Sequence, residues 1–185
     1  SENAAAMTFA NQAVAAIAPH EKTEPGAAAT AYFVLGSASY RANEVAAAEA
    51  PLRRSIQLYL QTEGPNSVWA NRNRILLGKV LVAQNKLAEA KTVIADAVAT
   101  SEQLYGQTIW WANAKLAEAQ YHQAAGDAVA AVTAYRQVAA VAVREPYACY
   151  IPPCISPAVD LLLKLADGDP AQRQSWLAEA FETAQ

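Results

Sequence analysis

Four helix-ending residues recur along this chain at a nearly constant interval: Asn43, Asn85, Gly126 and Gly168 stand 42, 41 and 42 residues apart. Asn and Gly tolerate the left-handed backbone conformation that closes a helix, so a fixed beat of them reads as a train of helical hairpins. Other landmarks keep the same interval. Leu35-Gly36 and Leu77-Gly78 precede the first two turns, and Asn43-Glu44-Val45-Ala46-Ala47-Ala48, Asn85-Lys86-Leu87-Ala88-Glu89-Ala90 and Gly126-Asp127-Ala128-Val129-Ala130-Ala131 follow as three copies. Gly36, Gly78 and Ala119, and then Ala48, Ala90 and Ala131, are small where two helices of a hairpin must cross closely. Leu52, Ile94 and Tyr135 each come four residues later, one turn on along the same face, as the larger knob. The hairpins are joined by Glu63-Gly64-Pro65-Asn66-Ser67-Val68 and Tyr105-Gly106-Gln107-Thr108-Ile109, each a glycine stop followed by an N-cap candidate, Ser67 or Thr108.

Composition agrees with an all-α fold. Alanine makes up about a quarter of the 185 residues, about three times its ordinary share. It is the best helix former and a poor strand residue, and bulky apolar residues are too sparse beside it to fill a thick sandwich or a doubly wound core. The 14 basic and 17 acidic residues give a net charge of −3 with no basic block, so a nucleic-acid partner is not expected. No run approaches the roughly 18 to 20 apolar residues of a membrane span. The sequence starts Ser1-Glu2-Asn3, and its one methionine is Met7. It reads as an excised or processed piece of a longer chain, which leaves the compartment open between a cytoplasmic and a periplasmic or secreted location.

The residues of the first full copy, Tyr32, Leu35, Gly36, Asn43, Ala48, Leu52 and Ser55, resemble the tetratricopeptide repeat. The 42-residue length, with Gly64 and Gly106 ending second helices, is similar to the longer kinesin-light-chain variety. Arg74 and Lys115 stand where that family prefers an apolar residue, and His122 where it prefers Tyr. The resemblance covers about residues 28 to 143 and implies a right-handed superhelix of antiparallel helix pairs, an α-solenoid, whose first helices line a concave groove.

On that register the whole chain reads as one repeat domain: 1–26 a truncated half repeat and loop, 27–64, 65–106 and 107–145 three repeats, 146–156 a Pro/Cys connector, and 157–185 a degenerate helix pair. Helices are predicted near 3–18, 27–42, 44–63, 67–84, 86–105, 108–125, 127–143, 157–167 and 170–185. Ala6, Ala10, Val14 and Ile17 fall at α-helical spacing along the first, which reads as the second half of a truncated repeat. Ser156-Pro157 and Asp169-Pro170 read as cap-plus-proline starts of the last two.

Signatures of catalysis and of cofactors are missing: there is no Gly-rich phosphate loop, HExxH, CxxC or pair of His ligands. No catalytic residue, metal or cofactor is therefore expected. His20 reads as a solvated loop residue and His122 as a half-buried helix residue. Cys149 and Cys154 lie in Arg144-Glu145-Pro146-Tyr147-Ala148-Cys149-Tyr150-Ile151-Pro152-Pro153-Cys154-Ile155-Ser156-Pro157. They are either a small disulfide loop across one end of the groove or two free thiols in a rigid connector.

With the first helices lining the groove, the register points Thr30, Phe33, Ser37, Tyr40 and Arg41 into it from the first copy. Arg72, Ile75, Lys79 and Val82 follow from the second, and Asn113, Leu116, Gln120 and Gln123 from the third. Arg41, Arg72 and Lys79 offer charge to a carboxylate. Asn113, Gln120 and Gln123 suit an extended peptide backbone, and Phe33 and Tyr40 suit apolar side chains. The Lys/Asn clamp with which some family members grip an acidic C-terminus is not reproduced, which argues against that ligand class. Trp69, Trp110 and Trp111 open two first helices, as packing between repeats or, at an exposed edge, as anchors.

The sequence thus predicts a non-catalytic scaffold that binds a protein or peptide partner in its groove. An alternative comes from Trp176-Leu177-Ala178-Glu179-Ala180-Phe181-Glu182-Thr183-Ala184-Gln185. That run resembles the helix leading from such repeats into the caspase-like CHAT domain of bacterial proteins. It implies a regulatory repeat region whose partner is its own C-terminal domain, with the peptidase residues beyond Gln185. Self-association through the apolar faces of the first and last helices is a third expectation.

Overall fold

The computed structural model describes residues 2–144, 155–168 and 171–184. All regular structure among them is helical. The helices are α1 (Glu2–Ile17), α2 (Pro25–Arg41), α3 (Val45–Glu63), α4 (Val68–Ala83), α5 (Leu87–Tyr105), α6 (Ile109–Ala124), α7 (Ala128–Arg144), α8 (Ile155–Gly168) and α9 (Arg173–Ala184), with a 3-10 turn at Ala18–His20 after α1. The chain forms two compact units, Ser1–Thr100 and Ser101–Gln185, divided within α5.

The turns that close α2, α4 and α6 are one device used three times. Asn43, Asn85 and Gly126 have φ of 63°, 59° and 80°, the left-handed region that ends a helix. Around each, the same two backbone bonds form. Asn43 N–H donates to Tyr40 O (3.0 Å) and Glu44 N–H to Ser39 O (2.8 Å); Asn85 to Val82 (2.9 Å) and Lys86 to Leu81 (2.9 Å); Gly126 to Gln123 (3.2 Å) and Asp127 to His122 (2.9 Å). This is the Schellman pattern, which satisfies carbonyls that the helix end would leave without donors. Gly168 behaves differently: it is the last residue of α8, with no positive φ.

Within the first unit, α2 and α3 form one hairpin and α4 continues into the next, packing on α3. A Cβ placed on Gly36 would stand 2.6 Å from Leu52 Cγ, and one on Gly78 would stand 2.4 Å from Ile94 Cγ1. Each glycine is thus a notch that admits the knob of the partner helix. Leu52, Ile94, Ala48 and Ala90 are fully buried around these crossings. The Ser55 hydroxyl, also buried, donates to Ala29 O at 2.6 Å and ties α3 to α2.

In the second unit, α6, α7 and α8 share a core of Trp111, Leu116, Ala119, Ala131, Tyr135, Val138, Val141, Leu161 and Leu162, against which Trp176 of α9 packs. Here Ala119 and Tyr135 take the places of glycine and aliphatic knob. Ile155 starts α8 two residues before the predicted position, so Pro157 lies in its first turn, where a missing N–H costs no helical bond.

The two N-cap candidates part company. Ser67 Oγ accepts from Ala70 N–H at 3.1 Å and donates to Glu63 Oε2 at 2.5 Å, whereas Thr108 Oγ1 is buried with no hydrogen-bond partner. Ser67→Ala is therefore expected to lower stability by about 1 kcal/mol, and Thr108→Val to leave it unchanged or raise it. Urea denaturation of both variants checks the pair. Equal losses at the two sites would contradict this account.

Candidate functional site

A ledge of side chains from α2, α3 and α4 dominates the first-helix side of the first unit. Thr30 donates to Gly26 O (3.0 Å), which leaves the Tyr59 hydroxyl to donate to Thr30 Oγ1 (2.9 Å). Fixed in this way, the Tyr59 ring stacks on Trp69, with centroids 6.3 Å apart and planes inclined by 23°. The first turn of α4 that carries Trp69 is held by buried Asn73, whose amide donates to Trp69 O at 2.7 Å. Trp69 itself is 45 % exposed. The Arg72 guanidinium lies 5.8 Å from the Trp69 ring and 5.2 Å from that of Phe33 on α2. Both distances are within the range of attraction between a cation and an aromatic face.

Beside this ledge, α1 and α2 enclose an open pocket of about 360 Å³ lined by Ala6, Phe9, Phe33, Val34, Ser37, Ala38 and Arg41. Its apolar wall is under-covered: Phe9 is 70 % and Val34 44 % exposed. A contiguous apolar patch bordered by a charged group is the usual mark of an interaction surface.

Phe33 and Arg41 of the predicted groove line one pocket, and Phe33 and Arg72 meet directly. Lys79 is half-buried on α4, and burial lowers its amine from the ordinary 10.5 to about 8. Tyr40 is half-buried, and burial raises its phenol. Thr30 is exposed on α2 and engaged with Tyr59 of α3, whereas Ile75 and Leu116 are buried core residues, so these two are removed from the groove reading. In the second unit, Asn113 and Gln120 are half-buried on α6. Gln123 is exposed, its Oε1 accepting from the Tyr135 hydroxyl at 2.8 Å. Trp111 is core at 5 % exposure, while Trp110 is 51 % exposed and packs against Tyr105 with centroids 6.2 Å apart.

The sequence reading missed Phe9 and Val34. Phe9 belongs to a helix read only for the spacing of Ala6, Ala10, Val14 and Ile17, and Val34 adjoins the stripe assigned to the groove. Among the described residues, no group of three or more His, Cys, Asp or Glu could hold a metal ion, and no helix is long and apolar enough to cross a membrane. His122 Nδ1 lies 3.9 Å from Asp127 Oδ2, its ring edge-on to Tyr121. Lys115 pairs with Glu118 over the Trp111 ring. Cys149 and Cys154, with the disulfide considered for them, lie outside the described residues.

No protein-family profile matches the sequence, and no curated protein does. Among solved structures, that of BtubC (BKLC) from P. vanneervenii is similar with a TM-score of 0.49 and 12 % sequence identity, across 100 % of this chain and 91 % of that one.

Proposed function

We propose that this chain is a non-catalytic protein-interaction scaffold of the tetratricopeptide type, binding a peptide segment or a neighbouring domain on its first-helix side. The observation that carries this reading is Arg72, set between the rings of Phe33 and Trp69 beside the open α1/α2 pocket. A guanidinium flanked by aromatic faces keeps its planar fork available to a carboxylate. Among the described residues no carboxylate pairs with it. The exposed Trp69 edge and the Phe9/Phe33/Val34 wall supply apolar anchors of the kind that dominate interface energetics. Helices hold all of these groups, so little ordering cost falls on the receptor when a flexible segment binds. Asn113, Gln120 and Gln123 are the matching polar groups proposed on α6.

Selection of a displayed random peptide library on the protein tests the reading. Enriched peptides should combine an acidic residue with aromatic or aliphatic ones, and their binding should change Trp69 fluorescence. A selection that enriches nothing, or one in which no enriched peptide loses binding on Phe33→Ala or Arg72→Ala, would overturn it.

A further inference from the structure

A second groove lies on the other side of α4. At roughly 100° per residue along a helix, Arg72 and Lys79 share one side, and Arg74 is turned roughly 200° away from Arg72. There α3, α4 and α5 enclose a groove of about 330 Å³, with an aliphatic floor of Ile56, Leu60, Leu77 and Val93 and with Arg53, Arg74 and Asp96 among its walls. The charges are not equivalent. Arg53 is neutralised by Glu49 (2.9 Å) and Glu89 (2.6 Å). Arg74 is half-buried and has no anionic partner among the described residues, and Asp96 has no cationic one.

The first copy of the repeat holds a carboxylate at the corresponding place, with its cation at the position of Asp96 rather than of Arg74. Tyr32 and Arg54 stand 42 residues before Arg74 and Asp96, and between them they hold a carboxylate. Glu21 Oε2 accepts from Arg54 Nε at 3.2 Å, a second Arg54 nitrogen binds Glu21 Oε1, and the Tyr32 hydroxyl also bonds Glu21. These bonds keep the Glu21 carboxyl below its ordinary range, the Arg54 bond contributing most. One repeat later the equivalent chain residue is Glu63, which is turned away to Ser67 Oγ. Among the described residues, no carboxylate takes the place of Glu21 beside Arg74 in the second copy of the site.

We propose that the α3/α4/α5 groove binds a peptide segment in which an acidic residue adjoins an aliphatic one. Arg74 takes the carboxylate, the place that Glu21 fills in the first copy. Ile56, Leu60, Leu77 and Val93 take the aliphatic side chain. Asp96 accepts backbone N–H groups, and this last feature selects a peptide over a free alkyl carboxylate, which has no donor to give it. This site is independent of the first-helix ledge.

Titration of the isotope-labelled protein with acetyl-Ala-Leu-Glu-Ala-amide, followed by NMR, tests the proposal. The Arg74 Nε–H signal and the methyl signals of Ile56, Leu60, Leu77 and Val93 should shift together. Replacing Glu by Gln in the peptide should weaken binding by about tenfold or more, and hexanoate should bind far more weakly than the peptide. Arg74→Leu, which restores an apolar residue, should abolish binding while thermal stability is kept or raised; Asp96→Asn should weaken binding and leave Arg72-dependent binding intact. No shift with the Glu peptide, equal binding of the Gln peptide, hexanoate binding as tight as the peptide, or a loss of stability in Arg74→Leu would each overturn it.

Discussion

Gly78→Val destabilises the protein by about 3 kcal/mol, toward the upper end of the range for overpacked cores. The first new atom alone would stand 2.4 Å from Ile94 Cγ1. That atom is the inner methylene of a fully buried side chain, not its mobile tip, so relief requires the two helices to move apart. Helix propensity works the other way by a few tenths of a kcal/mol, since glycine is among the poorest interior residues, and it is too small to offset the clash. Gly78→Ala, with one atom and a propensity gain of about 1 kcal/mol, should lose less. The decisive measurement is a double-mutant cycle by urea denaturation. Ile94→Ala alone should cost about 2 to 5 kcal/mol through the cavity it leaves. On the Gly78→Val background it should cost about 1 to 3 kcal/mol less, because valine then occupies the space that isoleucine vacates. A neutral Gly78→Val, or an Ile94→Ala cost that is the same in both backgrounds, would mean that the crossing is not the tight contact its geometry describes.

The legibility of this crossing in the sequence, and the illegibility of other features, have a common cause. Gly36 and Gly78 could be read as notches, and Leu52 and Ile94 as knobs, because steric need at a crossing leaves few acceptable residues and the repeat states the same need twice. Asn43, Asn85 and Gly126 were legible for the same reason, since few residues accept a positive φ. Ile75 and Leu116 were misassigned because spacing alone locates an apolar stripe on a helix without saying which edge of it the neighbouring helices cover. Ser67 and Thr108 looked alike as caps, but only Ser67 has Glu63 placed to fix its hydroxyl. The grooves depend on what three helices bring together, and no local pattern records that. Arg74 stood out as a departure from an apolar position, yet its surroundings come from α3 and α5 as much as from α4.

Arg72→Glu is expected to weaken binding of an acidic peptide to the first-helix side by about a hundredfold. A hydrogen bond to a charged group is worth about 1.5 to 3 kcal/mol, and each 1.4 kcal/mol is about tenfold in affinity. Reversal also adds repulsion where there was attraction. Arg72 lies on the surface of α4 and its contacts are the faces of Phe33 and Trp69, so helix content should not change. Lys79 adds a dependence on pH that distinguishes recognition from folding. Burial lowers its amine to about 8 from 10.5. In the folded protein the amine therefore loses its charge as pH rises through about 8, and affinity for an acidic peptide should fall there. Stability moves in the opposite direction. Between about 8 and 10.5 the unfolded chain binds more protons at this lysine than the folded one, so its contribution to stability rises with pH across that window and is lost as pH falls back through about 8. Lys79→Arg, which keeps its charge at these pH values, should retain binding at pH 9. Calorimetric titration and urea denaturation from pH 7 to pH 10 should thus diverge, with weaker binding to a more stable fold. If affinity instead rose with stability over that range, or if Lys79→Arg lost binding at pH 9 as the parent does, Lys79 would not be part of the recognition surface.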